Sequence, residues 1–595
     1  MTAVLRGPAH LLELNARGVL DAADVHLATR IGALGQETSQ VVLLALALCV
    51  RGVRQGSVAL RLADVPRLVV AEDGLALSWP SSWEAAVAAS PLVGGPLRLE
   101  HDLVYLDRYW RQEVQVASDL LRRVAVPVVL DRCVLAAALG RLWPGSAPDD
   151  QRFAAAVCAL SSVSVLGGGP GTGKTTTVSR LLVALREATP SELRIALAAP
   201  TGKASARLEE SVHRADNVLS AADQEWLRGL SSSTLHRLLG ARRGSAQSWH
   251  HAGNRLPYDV VVIDEASMVS LPMFARLLEA LRPETRLILV GDPDQLASVE
   301  AGAVLSDLVA GAGDRTSSRA SELAVVVPLD APVAVAADTP GARLRDGMAT
   351  LTTVHRFSQE GTIATLARAI RDGDSDAASS AISGLLVSVM DDATVPDAEV
   401  RPILLAQLRD VITAAASGDA VGALEALGRH RLLCAHRSGP RGVSWWSERV
   451  PRWLVESEGL APRRDGRFAG QPLLVRTNDY DNGLWNGDTG VVVEEAGELV
   501  GYFATGAAPR RVPLGRLGDV VPMYAMTVHR SQGSQFDSVT VVLPPATSPL
   551  GTRETLYTAV TRAESTLRVI GSDAAVRSAV DRPVQRASGL GARLR

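Results

Sequence analysis

Residues 163–177 read VSVLGGGPGTGKTTT, and the fold turns on this stretch. An apolar, partly β-branched run passes into a turn that matches G-x-x-x-x-G-K-[ST] from Gly168 to Thr175, and the following TTVSRLLVALREA carries apolar residues at helical spacing. Glycines let successive backbone N–H groups turn inward around a β-phosphate, and the helix N-terminus adds a favourable partial charge. In such a strand–loop–helix unit Lys174 reaches the β- and γ-phosphates and the Thr175 hydroxyl ligates Mg²⁺. Gly168, Gly169, Pro170, Gly171, Thr172, Gly173, Lys174, Thr175 and Thr176 are therefore the candidate ATP-binding residues.

Working outward, RIALAAP, DVVVIDE and RLILVGD are further apolar runs that alternate with amphipathic helices between about 136 and 310. Continuous Val/Ile/Leu runs suit central parallel strands covered on both faces, and open sheets of this kind bind ligands beyond the carboxyl ends of their strands. One run delivers Asp264 and Glu265. Asp264 suits the Mg²⁺ contact, and Glu265 suits the group that polarises an attacking water. GDPDQL at 291–296 places Gln295 where an amide senses the γ-phosphate, because it both donates to a phosphate oxygen and accepts from water. In APTGKASARL, a turn that opens a helix presents backbone N–H groups, the Thr201 hydroxyl and Lys203 to an anion such as a nucleic-acid phosphate; the alternative is a helix cap with one solvated lysine.

The chain has 595 residues, 61 Lys plus Arg against 64 Asp plus Glu, and a formal net charge of −3. Three or four domains are expected at this length, and 47% hydrophobic with 21% charged residues excludes a disordered or fibrous chain. The balanced charge restricts any nucleic-acid contact to a local channel. Only Lys174 and Lys203 are lysines; a compact ammonium is kept where a planar guanidinium does not fit. Cys49, Cys133, Cys158 and Cys434 have no paired spacing and read as buried small side chains in a reducing compartment. No signal peptide is evident, and the apolar run from Val41 to Val50 is half of what a membrane span needs, so a cytoplasmic protein is expected.

Residues 1–135 read as a mainly helical domain, with Tyr105, Tyr109 and Trp110 at helix-like spacing. The Ala-, Pro- and Ser-rich segment 311–348 reads as a surface loop, and 241–257 as a projecting hairpin with Trp249 near its tip. Beyond about 350, RLLCAHR, QPLLVR, SVTVVL and LRVIG are strand candidates of a second α/β unit. A small all-β insertion at about 480–522 has turns at Asn486-Gly487 and Ala496-Gly497.

In chain order, GGPGTGKT, APTGKAS, STLHRLLG, VVIDEASM, LVGDPDQL, VHRF, YAMTVHRSQGSQFDSV and YTAVTRAESTLRVIG resemble motifs I, Ia, Ib, II, III, IV, V and VI of superfamily 1 DNA helicases. The set, from about 151 to 571, is most similar to the RecD family, the α subunits of exodeoxyribonuclease V (RecBCD). The resemblance implies an α/β architecture of two RecA-like P-loop NTPase lobes, 136–348 and 349–595, with ATP in the cleft between them. A helical N-terminal domain, 1–135, would dock partners. It also implies that Gln151 reads the adenine edge, that Arg356 and Arg562 act as arginine fingers, and that Thr201, Lys203, His236, Thr527, His529 and Gln532 contact DNA. The hairpin 241–257 corresponds to the pin of this branch and the β insertion to its accessory domain. By the same resemblance the chain is a 5′-to-3′ DNA helicase, cofactors ATP and Mg²⁺, working with RecB-like and RecC-like subunits in double-strand break repair by homologous recombination, the nuclease lying in another subunit. A freestanding helicase of the same branch and a structural subunit with a regulatory ATP site are the alternatives.

Overall fold

The computed structural model describes residues 4, 6–69, 77–145, 149–214, 216–241, 248–310, 314–328, 335–354, 361–388, 395–504 and 508–595. Its first large sheet has six parallel strands in the order Met348–Leu351, Val163–Gly168, Arg286–Gly291, Val260–Ile263, Ile195–Ala199 and Ser232–Thr234. Every residue of Val163–Gly168, Val260–Ile263 and Arg286–Gly291 is buried, as continuous apolar runs require when helices cover both faces. The alternation of side chains divides this core in two. Val163, Val165, Val261, Ile263, Leu287 and Leu289 pack on one face, and Leu166, Val260, Val262, Ile288 and Val290 on the other.

The second large sheet is also parallel, ordered Leu386–Ser388, Ala563–Gly571, Phe536–Val542, His430–Cys434 and Met526–Thr527. Between its strands the chain leaves to build an antiparallel sheet ordered Arg510–Pro513, Glu498–Phe503, Thr489–Glu495, Pro472–Val475 and Val520–Pro522. Ala496 and Gly497, with φ of +48° and +86°, form the two-residue turn read from the sequence, where Glu495 pairs with Glu498. The run QPLLVR, expected in the parallel unit, instead pairs antiparallel with Thr489–Glu495 and Val520–Pro522, so the insertion starts before 480. An isolated apolar run of this length does not encode which sheet receives it.

Three other expectations are corrected. The segment 311–348 is not simply a loop, because helices Ser317–Val326 and Pro340–Arg345 lie within it. Buried Arg315 donates to the carbonyls of Arg345, Asp346 and Met348 at 2.8, 2.7 and 2.6 Å, and Thr316 binds Asp346 through both N and Oγ1. These bonds replace apolar periodicity as the source of order. Tyr105 lies in the strand Leu103–Leu106, ahead of the helix Asp107–Arg123 that carries Tyr109 and Trp110. Cys133 is exposed, while the other three cysteines are buried.

The ends of the chain cross the expected domain limits. Helix Asp107–Arg123 shares the core of the first lobe, and Arg123 donates to the carbonyls of Leu278 and Leu281 at 3.0 and 3.1 Å. Met348–Leu351, divided by the 348/349 limit, is an edge strand of the first sheet. The last residues leave the second lobe, bury Leu590 and Leu594 in the first lobe's core, and seat Arg593 on Glu100 and Glu113. Among the described residues, no helix is long and apolar enough to cross a membrane.

Candidate active site

The phosphate loop takes its shape from glycines that a side chain would strain: Gly171 and Gly173 have φ of +79° and +82°. Gly173 is the N-cap of helix Lys174–Ala188 and provides no side-chain acceptor, so the first N–H groups of the helix face the loop. Lys174 folds over it, with Nζ donating to Gly168 O at 2.6 Å and Gly169 O at 2.9 Å. Thr172 Oγ1 donates to Gly169 O at 2.9 Å. Buried Gln151 donates through Nε2 to Thr172 O at 3.1 Å, which ties it to the loop beside Trp143. Thr175 and Thr176 begin the helix.

Asp264 and Glu265 follow the strand Val260–Ile263 directly. Glu265 is a non-glycine residue at φ +50°, an uncommon conformation of the kind that collects at functional sites. Burial pushes the Asp264 carboxyl well above its usual range, and the Glu265 charge adds to that; Lys174 and Arg207 oppose it. A half-buried carboxyl at the end of a strand, within reach of the Lys174 charge, together with a threonine hydroxyl in the first turn of the phosphate-loop helix, fits a hard, oxygen-preferring cation such as Mg²⁺. Thr175 and Asp264 are the residues that would hold it.

The third loop joins the lobes. Asp292 accepts from Gln295 Nε2 at 2.9 Å and from the Tyr557 hydroxyl of the second lobe at 3.2 Å. The other amide atom, Gln295 Oε1, is buried and has no hydrogen-bond partner among the described residues. Leu296 N donates to Thr558 Oγ1 at 2.9 Å, and Gln532 Nε2 donates to Leu296 O. Arg562 is 2% exposed; its Nη1 donates to Ser534 O at 3.0 Å and its Nε to Thr558 O at 3.1 Å. Burial lowers its pKa, and the nearby Glu265 charge works the other way. Sequence reasoning left Asp292, Tyr557 and Thr558 unassigned, although all three stand inside the quoted motifs; their signal was position at a strand end or on the helix before Arg562. Arg356 lies outside the described residues.

The expected strand contacts divide into two kinds. Thr201 caps helix Gly202–His213, its hydroxyl accepting from Ala204 N at 3.2 Å. Lys203 is half-buried: Nζ stands 5.7 Å from the Phe536 ring centroid, and burial first, then Arg431 and Arg207, push its amine down to about 8. Trp485 of the insertion presses on the same turn, where a Cβ at Gly202 would lie 3.0 Å from the Trp485 Cβ. His236 is exposed, and Thr527 and His529 are half-buried. Gln532, expected on the strand path, is instead buried and turned into the cleft. Of the expected hairpin 241–257, residues 242–247 lie outside the described residues, and Trp249 is 55% exposed.

Three stretches match known protein families. Residues 16–105 match the N-terminal domain of RecBCD enzyme subunit RecD, 151–301 an AAA domain, and 522–570 a UvrD-like helicase C-terminal domain. The chain is 47% identical to the RecBCD enzyme subunit RecD of Mycolicibacterium smegmatis, covering 98% of this chain and 99% of that one. It is 48% identical to the subunit of the same name from Mycobacterium tuberculosis, covering 98% and 96%. With the ATP-dependent RecD2 DNA helicase of Deinococcus radiodurans it shares 30% identity over 69% of this chain and 47% of that one.

Proposed function

Since this chain belongs to the RecD family of superfamily 1 DNA helicases, we propose that it moves 5′ to 3′ along single-stranded DNA beside RecB-like and RecC-like subunits, unwinding duplex ends for recombinational repair. It is a DNA-dependent ATPase and helicase. One observation carries the mechanism: the phosphate loop, Asp264 with Glu265, and the Asp292–Leu296 loop converge in lobe one, while Tyr557, Thr558 and Arg562 meet them from lobe two. Near-complete coverage of the RecBCD subunits, against less than half of the RecD2 helicase, favours the complex over a freestanding motor.

Lys174 leaves the carbonyls of its own loop for the β- and γ-phosphates, trading two neutral acceptors for anionic ones. Thr175 and Asp264 would hold Mg²⁺, which would neutralise charge on the phosphoryl oxygens. Glu265 orients water for in-line attack, and Gln295 senses the γ-phosphate through its Nε2 donor, which leaves Asp292 for it, while Oε1 accepts from water. Arg562 and, by resemblance, Arg356 approach the transferring group only as the lobes close. Closure then displaces strand contacts on lobe one, Thr201 and His236, relative to Thr527 and His529 on lobe two. Residues 1–135 serve as the partner-docking region.

The test is ATP turnover by the full chain with and without single-stranded DNA, together with unwinding of duplexes that carry a 5′ or a 3′ tail. Stimulation by DNA and a requirement for the 5′ tail are expected. Lys174→Gln is expected to fold normally and to lose at least about a hundredfold in turnover. A folded Lys174→Gln chain that hydrolyses ATP at the normal rate overturns the site, and unwinding from a 3′ tail overturns the polarity.

A further inference from the structure

Helix Gly202–His213 starts at the proposed strand contact Thr201, and one of its faces lies against the second lobe. Lys203, Ala204 and Arg207, at i, i+1 and i+4, share that face. Lys203 stands over Phe536, and Ala204 meets Gly533, where an added Cβ would sit 3.4 Å from the Ala204 Cβ and 4.0 Å from Glu265 Oε1. Half-buried Arg207 donates from Nη1 to Gly533 O at 3.3 Å and from Nη2 to Gln535 Oε1. The residue between those acceptors is Ser534, whose carbonyl takes the Nη1 donor of Arg562. The tripeptide 533–535 is thus gripped by a lobe-one arginine on one side and by the proposed arginine finger on the other. Gly533 has a φ of +70°, so this segment turns tightly where it passes Glu265.

We infer that Arg207 is a positioning residue that links strand binding to ATP hydrolysis, holding Gly533–Gln535 and through them Arg562, so that the seating of helix Gly202–His213 on DNA is passed to the arginine finger. It rests on the reading of Arg562 and Thr201 given above. The Arg207 charge is among those acting on Asp264, Lys203 and Arg562, which places it within electrostatic reach of both the cleft and the strand turn. The two bonds of Arg207 go to a backbone carbonyl and a side-chain amide, a forked geometry that lysine reproduces only in part.

The experiment compares Arg207→Ala, Arg207→Lys, Gln535→Ala, Arg207→Ala/Gln535→Ala and Arg562→Ala in the full chain. It measures turnover with saturating oligo-dT, KM for ATP, and oligo-dT affinity by fluorescence anisotropy. Arg207→Ala is expected to lower DNA-stimulated kcat by about tenfold or more while KM and oligo-dT affinity stay within about twofold. Arg207→Lys should fall between it and the parent, and the double variant should be no slower than Arg207→Ala. Normal stimulated kcat in Arg207→Ala or Arg207→Lys, with Arg562→Ala inactive, overturns this inference alone. Additive losses in the double variant, or a fall in kcat matched by an equal loss of oligo-dT affinity, also overturn it. Full turnover by Arg562→Ala would overturn the site reading on which it rests.

Discussion

The two lobes contain the same short device, and its two copies differ. In lobe one, edge strand Ser232–Thr234 runs into Thr234-Leu235-His236-Arg237; in lobe two, Met526–Thr527 runs into Thr527-Val528-His529-Arg530. Each threonine caps a one-turn helix, its hydroxyl accepting from the arginine backbone N, at 3.2 Å for Arg237 and 3.4 Å for Arg530. The local structure therefore repeats with the local sequence. The surroundings do not: His236 is exposed, whereas burial and the Arg586 guanidinium of the C-terminal segment lower the pKa of His529. Lobe one continues to Leu239 and Gly240, whereas lobe two continues through Gln532 to Leu296 of the opposite lobe. The same capped turn thus ends on an exposed histidine in lobe one and leads in lobe two, through Gln532, to a bond with Leu296 of the opposite lobe.

The sharpest way to break this comparison is to remove the exit of each copy. Gln532→Ala deletes the donor to Leu296 and is expected to lower stimulated kcat by roughly tenfold to a hundredfold, with oligo-dT affinity little changed. His236→Ala should do the reverse, weakening oligo-dT binding while basal turnover stays normal. Loss of binding without loss of turnover in Gln532→Ala would reverse the assignment.

Acid stability sharpens the comparison next. His430, on the strand of lobe two between Phe536–Val542 and Met526–Thr527, bonds Gln407 and Thr540, and burial pushes its pKa down to about 4. The unfolded chain binds this proton at about pH 6.5 and the folded chain only near pH 4. Stability is therefore complete above that window and falls as pH drops through it, by about 1.4 kcal/mol per pH unit from this residue. Denaturant titrations of His430→Gln should show a shallower acid slope than the parent; an unchanged slope would remove His430 from the account. His236→Ala, at an exposed position, should leave stability within about 0.5 kcal/mol.

The smallest effect concerns the caps themselves. Thr234→Ala and Thr527→Ala should each cost about 1 kcal/mol or less in thermal or denaturant unfolding. Values that differ by more than about 1 kcal/mol would mean that tertiary surroundings, and not the shared cap, set the strength of the turn.

Much of the site is local and was legible. A glycine loop needs its φ values within a few residues, a strand end delivers Asp264 and Glu265 by chain continuity, and a Thr-x-x pattern caps a helix from inside itself. Lys203 illustrates the limit: its turn was read, but Phe536 and Asp488, which share its surroundings, lie hundreds of residues away. Gln532 and Arg207 had no local signature either, because their partners belong to the opposite lobe. The same holds for Arg315, which orders a segment with no periodicity by reaching carbonyls across it.

The sequence by itself determined that two parallel α/β units are present, where the glycine-rich phosphate-loop motif lies and which motor family the chain belongs to. Those features depend on apolar periodicity, glycine φ values and residues adjacent along the chain, all short-range quantities. Only the tertiary structure decided that QPLLVR joins the antiparallel sheet, that the C-terminal Arg593 closes on Glu100 and Glu113, and that Gly533–Gln535 lies between two arginines. Those contacts join residues from distant parts of the chain, and burial makes an unpaired polar group costly, so their partners are fixed only when the whole chain packs.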